Sequence, residues 1–525
     1  MPKVLIADDV AEECAEILRK AGIEVDARGK MKPDDLKAAV GAYDGLVVRS
    51  AVKVTREILE AGAKLRIVGR AGIGVDNIDQ ETATRRGIVV MNAPQGNVIS
   101  AAEHAFALIM AGARHVARAD ASMRAGKWER SSFHGVQLEQ KTLGLVGLGK
   151  IGGAVAQLAR PFRMRVIGFD PFLSKERAEA LGVELVEFDA LLAAADFISI
   201  HVPLSERTRG MFGAAQFKKM KRTARLVNTS RGGVIDEKAL CEALAARDIA
   251  GAALDVYEQE PPAKDHPLFR LDNVVLTPHL AASTEEAQVK VSVDIAEQFV
   301  DYFKNGVVRN AVNLAALADP ALAPYLRLAE DLGGLAAQLA DGAVQRVEVI
   351  YTGQIAAFDT GTVTQSAVTG ALRPMLGDEV NVVNARFAAR EAGIEILENK
   401  RKEAGNYKNL VSVKVETGKG HRIVSGTIFE GRNPRIVQID DLDIDLKPRR
   451  DMLCMYYRDV PGVVGKVGSV LGKNNINIAR MEVGRTERGK QAMALLTVDE
   501  QVPPAVVEEI RRTVPLDDIR PIYLP

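Results

Sequence analysis

Short apolar runs alternate with amphipathic stretches at the start of the chain. The runs have the length and β-branched content of buried strands, and helical patterns at Glu12–Lys20 and near Asp34–Val40 lie among them. Strands that alternate with helices form parallel sheets with helices on both faces. We therefore predict a first α/β domain that ends near Pro94, with strands at Lys3–Ala7, Ile23–Val25, Leu46–Arg49, Leu65–Val68 and Ile88–Met91.

A second alternating region follows the long helical stretch Ser100–Gly126. Its first predicted strand, Leu143–Val146, leads into a glycine-rich turn and a helix, and the strand Met164–Phe169 comes next. The later strands all end where polar residues begin: Phe197–Ile200, Leu226–Asn228, Ala252–Leu254 and Val274–Leu276. Because ligands bind outside the carboxyl ends of strands in doubly wound sheets, we expect these ends to face one crevice.

A long helix is expected to return the chain from the second sheet to the first domain. Ser283 and Glu286 have the S-x-x-E spacing of a capping box, which predicts a helix from about Thr284 to Phe303. Asp319-Pro320 and Pro324 then mark a boundary. Beyond it, mixed strand and helix patterns predict an α+β domain in which no catalytic constellation is evident.

The last stretch of the chain has a clear element order. Its predicted elements are the strand Met452–Arg458, the helix Pro461–Lys473, the strands Ile476–Gly484 and Ala492–Asp499, the helix Pro504–Arg512 and the strand Arg520–Tyr523. This β-α-β-β-α-β order is typical of the ferredoxin-like fold.

Composition narrows the class of partner. At about 150 residues per domain, 525 residues suggest three or four domains. Sixty-nine basic and sixty-nine acidic residues cancel, so no overall field favours nucleic acid or a membrane surface. Three widely spaced cysteines have no metal-ligand spacing and indicate a reducing compartment, which leads us to expect a cytoplasmic protein without a metal site.

The glycine-rich turn predicts a dinucleotide site. Gly147, Gly149 and Gly152 form G-x-G-x-x-G between a strand and a helix, where backbone N–H groups can approach a pyrophosphate. Asp170 ends the next strand, where its carboxylate can accept hydrogen bonds from both ribose hydroxyls and would repel a 2′-phosphate. We therefore predict NAD rather than NADP as the cofactor.

Three charged residues lie just beyond strands of the same sheet. Arg231 precedes two glycines and can grip an α-keto carboxylate, although a surface arginine is the ordinary alternative. His279 suits proton transfer to an alkoxide, but His104 and His201 compete for that role. Glu260 could pair with His279, and Glu258 is an equal candidate by position.

Five segments together resemble the D-isomer-specific 2-hydroxyacid dehydrogenases: Val146–Gly152, Asp170, Asn228–Glu237, Ala253–Pro262 and Thr277–Thr284. The resemblance implies that Arg231 binds substrate, that Glu260 supports the histidine and that His279 is the acid/base. It also implies a cofactor site lined by Gly147, Gly149, Lys150, Ile151, Gly152, Asp170, Thr229, Ser230, Arg231, Asp255, His279, Ala281 and Ala282. Ala281-Ala282 depart from the family, whose members often carry glycines there.

The first domain offers candidate residues for an anionic substrate. They are Arg49, Ser50, Arg70, Gly72 and Asn77, and Arg130 is a further candidate that could reach a neighbouring subunit. The whole chain resembles the long members of the family, which oxidise 3-phospho-D-glycerate (3-phosphoglycerate) to 3-phosphooxypyruvate with NAD in the first step of serine biosynthesis. The alternatives are a glyoxylate or hydroxypyruvate reductase and a non-catalytic NAD(H)-sensing protein similar to a corepressor.

The C-terminal stretch resembles an ACT domain, a module that binds amino acids between paired subunits. The resemblance implies serine as effector, contacts from Tyr457, Asp459 and Asn477, and a homodimer or homotetramer. We thus expect two doubly wound parallel-sheet domains, then an α+β intervening domain and a ferredoxin-like ACT domain. The predicted boundaries are 1–97 and 285–316 for the substrate-binding domain, 98–284 for the NAD-binding Rossmann domain, 317–450 for the intervening domain and 451–525 for the ACT domain.

Overall fold

The computed structural model describes residues 1–314, 319–403, 406–485, 487 and 489–525. The first sheet has five parallel strands in the order β2-β1-β3-β4-β5. The strands are β1 Lys3–Ile6, β2 Glu24–Ala27, β3 Gly45–Val48, β4 Ile67–Arg70 and β5 Val89–Asn92. The helices are α1 Glu12–Lys20, α2 Pro33–Ala39, α3 Arg56–Ala61 and α4 Gln80–Arg85. The predicted parallel α/β fold is therefore confirmed for this part of the chain.

The second sheet has seven parallel strands in the order β12-β11-β10-β9-β6-β7-β8, so the direction of winding changes between β6 and β9. Its strands are β6 Thr142–Val146, β7 Arg165–Phe169, β8 Glu184–Leu185, β9 Phe197–Ile200, β10 Arg225–Asn228, β11 Gly251–Leu254 and β12 Val274–Leu276. Its helices are α5 Val98–Arg114, α6 Val116–Arg124, α7 Lys150–Ala159, α8 Lys175–Ala180, α9 Phe188–Ala194, α10 Ala214–Lys219 and α11 Glu237–Ala245. This topology creates the expected crevice at the carboxyl ends of the strands.

The return helix α12 spans Glu285–Asn305, but the prediction that Ser283 caps it was wrong. Thr284 is the N-cap, and its Oγ1 accepts a hydrogen bond from the N–H of Ala287 (3.2 Å). The N–H of Ser283 instead donates to the carbonyl of Leu280, so Ser283 belongs to the preceding turn. Phe299 of α12 packs against Gly69 in β4, where an added Cβ would lie 2.4 Å from its ring, so the helix does return to the first domain.

The third sheet mixes one parallel pair, β13 and β14, with antiparallel pairs in the order β14-β13-β15-β16-β17-β18. Its strands are β13 Val344–Gly353, β14 Glu395–Arg401, β15 Asn409–Thr417, β16 Gly420–Phe429, β17 Asn433–Ile439 and β18 Leu442–Leu446, and its helices are α13 Ala323–Leu339, α14 Gly361–Leu376 and α15 Ala385–Glu391. The sequence prediction missed β14, β18 and α15, since β14 is an edge strand rich in charge and the other two elements are short. The predicted boundary at 316/317 falls outside the described residues.

The last unit has the predicted β-α-β-β-α-β order and an antiparallel sheet, β20-β21-β19-β22. Its elements are β19 Asp451–Arg458, α16 Val463–Lys473, β20 Ile478–Arg485, β21 Gln491–Val498, α17 Pro504–Thr513 and β22 Leu516–Tyr523. One face of this sheet shares a hydrophobic core with α13 and the third sheet. Within the described part of the chain, none of the helices combines the length and the apolar sequence that a membrane crossing requires.

Glycines let α13 and α14 approach each other at backbone distance. A Cβ added to Gly370 would lie 1.9 Å from the carbonyl oxygen of Glu330, and one added to Gly333 would lie 2.0 Å from that of Ala367. A Cβ on Gly334, by contrast, would meet Leu524 at 3.4 Å, an ordinary contact. The crossing of the two helices therefore depends on Gly333 and Gly370 but not on Gly334.

We predict that Gly370→Ala destabilises the protein, because backbone atoms of α13 would have to move away. Overpacking of this kind costs about 1–3 kcal/mol. The matched variant Gly334→Ala should change stability by less than about 1 kcal/mol, since it gains helix propensity without a clash. Urea unfolding followed by circular dichroism measures both, and equal effects of the two variants would contradict the packing described here.

Candidate active site

The loops after β10, β11 and β12 meet in the crevice of the second sheet and bring the predicted histidine and glutamate together. His279 follows β12 with a left-handed backbone (φ 55°), and its N–H donates to the carbonyl of Asp255 (2.8 Å). Its Nδ1 lies 2.7 Å from Oε2 of Glu260. The other oxygen of Glu260 accepts the N–H of Tyr257 (3.1 Å). The imidazole is thus held by one ring nitrogen, which leaves Nε2 available to a substrate.

The environment of Glu260 keeps its carboxyl group ionised. Burial acts to raise the pKa of Glu260, but the hydrogen bond and charge of His279, together with the N–H of Tyr257, outweigh it. The pKa of Glu260 therefore lies below its usual range. An ionised carboxylate in this position can only accept a hydrogen bond, so it orients the Nδ1–H edge of the neighbouring imidazole.

Asp255 lies beneath the catalytic loop and is fully buried. Its Oδ1 accepts hydrogen bonds from the N–H of Leu280 (2.7 Å) and from Thr277 Oγ1 (2.6 Å), and its Oδ2 accepts from the N–H of Ala281 (2.9 Å). Burial acts to raise the pKa of Asp255, but these donors and His104 lower it overall. The structure therefore makes Asp255 a support for the loop that carries His279, Ala281 and Ala282; its direct contact with a cofactor stays a prediction.

The two competing histidines have other partners. His104 Nε2 lies 3.2 Å from Oδ1 of Asp255 and so belongs to the support of the catalytic loop. His201 lies beneath the glycine-rich turn, next to Ser199 Oγ (2.9 Å), and burial lowers its pKa to about 4. With its lowered pKa and Ser199 as its partner, His201 is less suited than His279 to proton exchange with a substrate in the crevice.

Arg231 extends from the end of β10 toward the first domain. Its Nε donates to Oδ2 of Asp76 (2.8 Å), and its Nη1 donates to the carbonyl of Ser230 (2.7 Å). Ser230 in turn donates through its N–H and its Oγ to Oδ1 of Asn228. A Cβ on Gly232 would lie 1.8 Å from the carbonyl oxygen of Tyr257, so this glycine lets the arginine loop pack directly on the loop of Glu260.

Glu258, the alternative partner for His279, instead pairs with Glu237, and the two glutamates connect these loops. The N–H of Glu237 donates to the carboxylate of Glu258 (3.0 Å), and the N–H of Glu258 donates to that of Glu237 (2.6 Å). His266 Nε2 lies 3.0 Å from Glu237 Oε2. Burial raises the pKa of Glu237, with the charge of Glu258 acting in the same direction. This reciprocal pair joins the start of α11 to the loop of Glu260.

The first domain contributes a group of guanidinium side chains. Arg70 is largely buried, which lowers its pKa to about 10, and the charges of Arg231 and Arg49 contribute to that shift. The guanidinium of Arg70 packs against Gly72, since a Cβ added to Gly72 would lie only 2.2 Å from Nη1. The buried Nε of Arg70 has no hydrogen-bond partner. The arginines therefore create a positive region that faces the catalytic loops.

The remaining candidates for substrate binding differ in their surroundings. Asn77 donates through Nδ2 to the carbonyls of Arg49 and Val52 (both 2.7 Å), so it holds the loop after β3. Asp8, which the sequence did not single out, accepts the N–H groups of Arg49 and Val52 and supports the same loop. Ser50 and Arg130 are exposed, Arg130 on the short 3-10 turn Arg130–Ser132.

The glycine-rich turn has the geometry of a dinucleotide cradle. Gly147 has φ 91°, and a Cβ on Gly152 would lie 2.1 Å from the carbonyl oxygen of Gly147. Gly149 faces open space, since a Cβ there would meet no atom within 4 Å. Thr229 Oγ1 is buried without a hydrogen-bond partner at the end of β10. An open cradle and an orphan hydroxyl fit a bound dinucleotide.

Other predicted cofactor residues surround this cradle. Asp170 accepts the N–H of Leu148 through Oδ2 and the N–H of Phe172 through Oδ1 (both 2.9 Å), which leaves further lone pairs for ribose hydroxyls. Lys150 Nζ lies 3.4 Å from the carbonyl of Pro94 at the domain junction. Ile151 is half-buried on the first turn of α7. Among the described residues, no group of three or more histidine, cysteine or acidic side chains could hold a metal ion.

The predicted regulatory residues differ in their exposure. Tyr457 is only 2% exposed, because the alternation along β19 puts it in the core under α16 and α17 with Leu453 and Met455. Its side chain supports the fold of the domain, and its contact with an effector stays a prediction. Asp459 accepts hydrogen bonds from Arg485 Nη1 (3.0 Å) and the N–H of Gly489, and Asn477 donates to Asp499 (2.7 Å).

Sequence profiles match three separate segments of the chain. Residues 106–281 match the NAD binding domain of the D-isomer specific 2-hydroxyacid dehydrogenases. Residues 321–440 match the D-3-phosphoglycerate dehydrogenase intervening domain, and residues 454–514 match the ACT domain.

Relatives align over the full length. The D-3-phosphoglycerate dehydrogenase of Archaeoglobus fulgidus is 46% identical over 516 residues, which cover 97% of this chain and 98% of that protein. The enzyme of that name from Bacillus subtilis is 40% identical over 533 residues and covers both chains completely.

Solved structures resemble the first part of the chain. The D-lactate dehydrogenase of Escherichia coli has a TM-score of 0.53 and 29% identity, with 59% of this chain and 99% of that chain covered. A glyoxylate reductase from Paecilomyes thermophila has a TM-score of 0.55 and 29% identity over 59% of this chain and 98% of its own.

We predict that Asp255→Asn destabilises the protein by about 3 kcal/mol near neutral pH, because an amide cannot accept from all the donors around this buried position. The native pKa of Asp255 is lowered, so its contribution is complete above the unfolded pKa of about 3.9 and is lost as the pH falls through the native value. The deficit of the variant should therefore shrink below about pH 4.

Thermal unfolding at a series of pH values measures this deficit. Asp236→Asn is the matched control, since Asp236 is an exposed N-cap whose Oδ1 accepts the N–H of Ala239, a role that asparagine fills equally well. A deficit that is the same at acid and neutral pH would show that the charge of Asp255 is not what stabilises the loop.

Proposed function

This chain belongs to the D-isomer-specific 2-hydroxyacid dehydrogenases, and within them to the D-3-phosphoglycerate dehydrogenases; we propose that Arg231, Glu260 and His279 form its catalytic site. Its reaction is the NAD-dependent oxidation of 3-phospho-D-glycerate to 3-phosphooxypyruvate, the first step of serine biosynthesis. The observation that carries the proposal is the 2.7 Å contact between His279 Nδ1 and Glu260 Oε2 in the crevice that Arg231 also enters.

The residues of the chain have distinct tasks in this reaction. The glycine-rich turn and Asp170 would hold NAD, which would supply the hydride acceptor for C2 of the substrate. The imidazole of His279 takes the hydroxyl proton at Nε2, and the carboxylate of Glu260 stabilises the imidazolium that results. The guanidinium of Arg231 grips the carboxylate of the substrate and orients C2. In the reverse direction the same imidazolium returns its proton to the oxygen.

The residues around the crevice support a division of binding roles. Arg49 and Arg70 would hold the phosphate, a role favoured by their mutual proximity and by the unpartnered Nε of Arg70. Asp170 would accept the ribose hydroxyls of NAD, and the backbone of Gly147–Gly152 would approach its pyrophosphate. Asn77 would act indirectly, because its side chain holds the loop that carries Arg49.

We further propose a homo-oligomer in the cytoplasm. A single tryptophan, Trp128, is 79% exposed beside α6, and Ile99, Met110 and Met123 add exposed apolar side chains along α5 and α6. Such a concentration of exposed apolar surface is typical of a subunit interface. The free thiols of Cys14, Cys241 and Cys454 support a reducing compartment.

We predict that His279→Ala lowers turnover by about 10²–10⁴-fold while NAD binding is largely kept, because only the proton acceptor is removed. Steady-state NADH formation and a separate NAD titration measure the two effects. His421→Ala, which removes an exposed histidine of β16, is the control and should retain full activity. Normal turnover of the His279 variant would discard the proposed role.

We propose serine as the effector, bound between paired subunits with contacts from Asp459 and Asn477, which lie at opposite ends of β20 within one subunit. Loss of a hydrogen bond to a charged group costs about 1.5–3 kcal/mol, so Asn477→Ala should weaken serine inhibition about tenfold or more. Asn433→Ala is the matched control, because it removes an amide that donates to Glu430 in the third sheet, outside the ACT domain. Titrations with serine and with other amino acids, followed by activity and by thermal shift, test this proposal. If an amino acid other than serine is the one that stabilises the protein, that amino acid and not serine is the effector.

A further inference from the structure

His279 and Arg231, the two basic residues of the proposed catalytic site, each have an acidic partner. The proposed reaction gives a role to only one of these two acids. Glu260 holds His279, whereas Asp76 holds Arg231 through the 2.8 Å contact between Oδ2 and Nε. Asp76 lies in the loop after β4 of the first domain, and Arg231 lies 155 positions later at the end of β10. The contact therefore spans the crevice between the two domains.

From this geometry we infer that Asp76 is a positioning residue that orients the guanidinium of Arg231 toward the substrate when the two domains are close. The inference rests on the proposed role of Arg231. Asp76 occupies the Nε edge, and the carbonyl of Ser230 occupies Nη1. The planar guanidinium is thereby held at two points before any substrate arrives, while Nη2 remains for the anion.

The shape of the loop supports this inference independently of the charge. A Cβ added to Gly74 would lie 1.7 Å from Nη2 of Arg231 and 2.9 Å from Oδ2 of Asp76. The backbone at Gly74 is not in the left-handed region, so the absence of a side chain serves to make room for the guanidinium. Gly74 and Asp76, two positions apart, thus together form the binding surface for the guanidinium of Arg231.

Stability does not explain the ion pair. The side chain of Asp76 is 68% exposed, and exposed ion pairs contribute little to the free energy of folding. A carboxylate beside a site for a polyanionic substrate also repels that substrate. Asp76 therefore adds little stability, and its charge opposes substrate binding. Its role is best explained by the orientation that it imposes on Arg231.

The first experiment compares Asp76→Ala and Asp76→Asn with the wild type by steady-state kinetics. We expect Asp76→Ala to lower kcat/KM for 3-phosphoglycerate about 10–100-fold, since misplacement of a binding group by about 1 Å can cost 10²-fold. The KM for NAD and the melting temperature should stay nearly unchanged. Asp76→Asn keeps an acceptor oxygen and should restore part of the loss.

Gly74→Ala provides a second approach that leaves Asp76 in place. The added methyl group would displace the guanidinium, so kcat/KM should fall in the same range as in Asp76→Ala. Gly472→Ala, on an exposed part of α16 where a Cβ meets no atom within 4 Å, is the control for the substitution itself. Glu81→Ala is the control for loss of an exposed carboxylate, because Glu81 pairs with Arg85 at 3.2 Å on α4.

A double-mutant cycle tests whether Asp76 acts through Arg231. In an Arg231→Gln background, Asp76→Ala should cause less than about a twofold further loss, since the group that it orients is gone. Losses that multiply independently would overturn the inference. So would an unchanged or increased kcat/KM in Asp76→Ala, which would make Asp76 a bystander or a competitor of the substrate.

The failure of this inference can be distinguished from failure of the proposed function. If Arg231→Gln itself retains normal activity, the proposed role of Arg231 is wrong and Asp76 has nothing to orient. If Arg231→Gln and His279→Ala lose activity while Asp76→Ala and Gly74→Ala do not, the catalytic assignment stands and only the positioning role is overturned.

Discussion

The buried carboxylate of Asp255 is the interaction on which the catalytic crevice depends. A fully buried charge is costly unless donors surround it, and this one receives them from Thr277, Leu280, Ala281 and His104. Three of these donors come from the turn that carries His279 between β12 and α12. The loop adopts a conformation in which its N–H groups donate to the buried carboxylate. The left-handed backbone of His279 is part of that conformation.

The acidic partners in the crevice divide into two kinds. Glu260 lies 2.7 Å from Nδ1 of His279, so it fixes the orientation of the imidazole that we propose for proton transfer. Glu237 and Glu258 exchange hydrogen bonds with each other's backbone, and their effect is to keep the start of α11 beside the loop of Glu260. The same residue type thus orients the imidazole of His279 in one place and fixes loop geometry in another. Only the partner atoms distinguish the two roles.

Features that depend on local sequence could be predicted, whereas contacts between distant parts of the chain could not. The glycine-rich turn, Asp170 and the strand ends before Arg231 and His279 were predictable, because strand period and turn chemistry are local properties. Asp8 and Glu237 were missed, since their partners lie far along the chain or on another loop. The burial of Tyr457 was not predicted, because a motif match was considered without the alternation of β19, which directs that side chain into the core. The one-residue shift of the cap from Ser283 to Thr284 shows the limit of spacing rules where two hydroxyls are adjacent.

The connections between the domains constrain how the ACT domain can influence catalysis. Arg520 of β22 donates to the carbonyls of Leu339 and Ala340 at the end of α13, and the two units share a hydrophobic core. The intervening domain in turn contacts the first domain, where Asn381 donates to the carbonyl of Gly87 (3.0 Å). Gly87 lies just before β5, whereas Asp76 lies after β4. The described contacts thus connect the ACT domain to the first domain through α13 and the loop of Asn381. The contact between Asp76 and Arg231 in turn connects the first domain to the end of β10, where we propose that substrate binds.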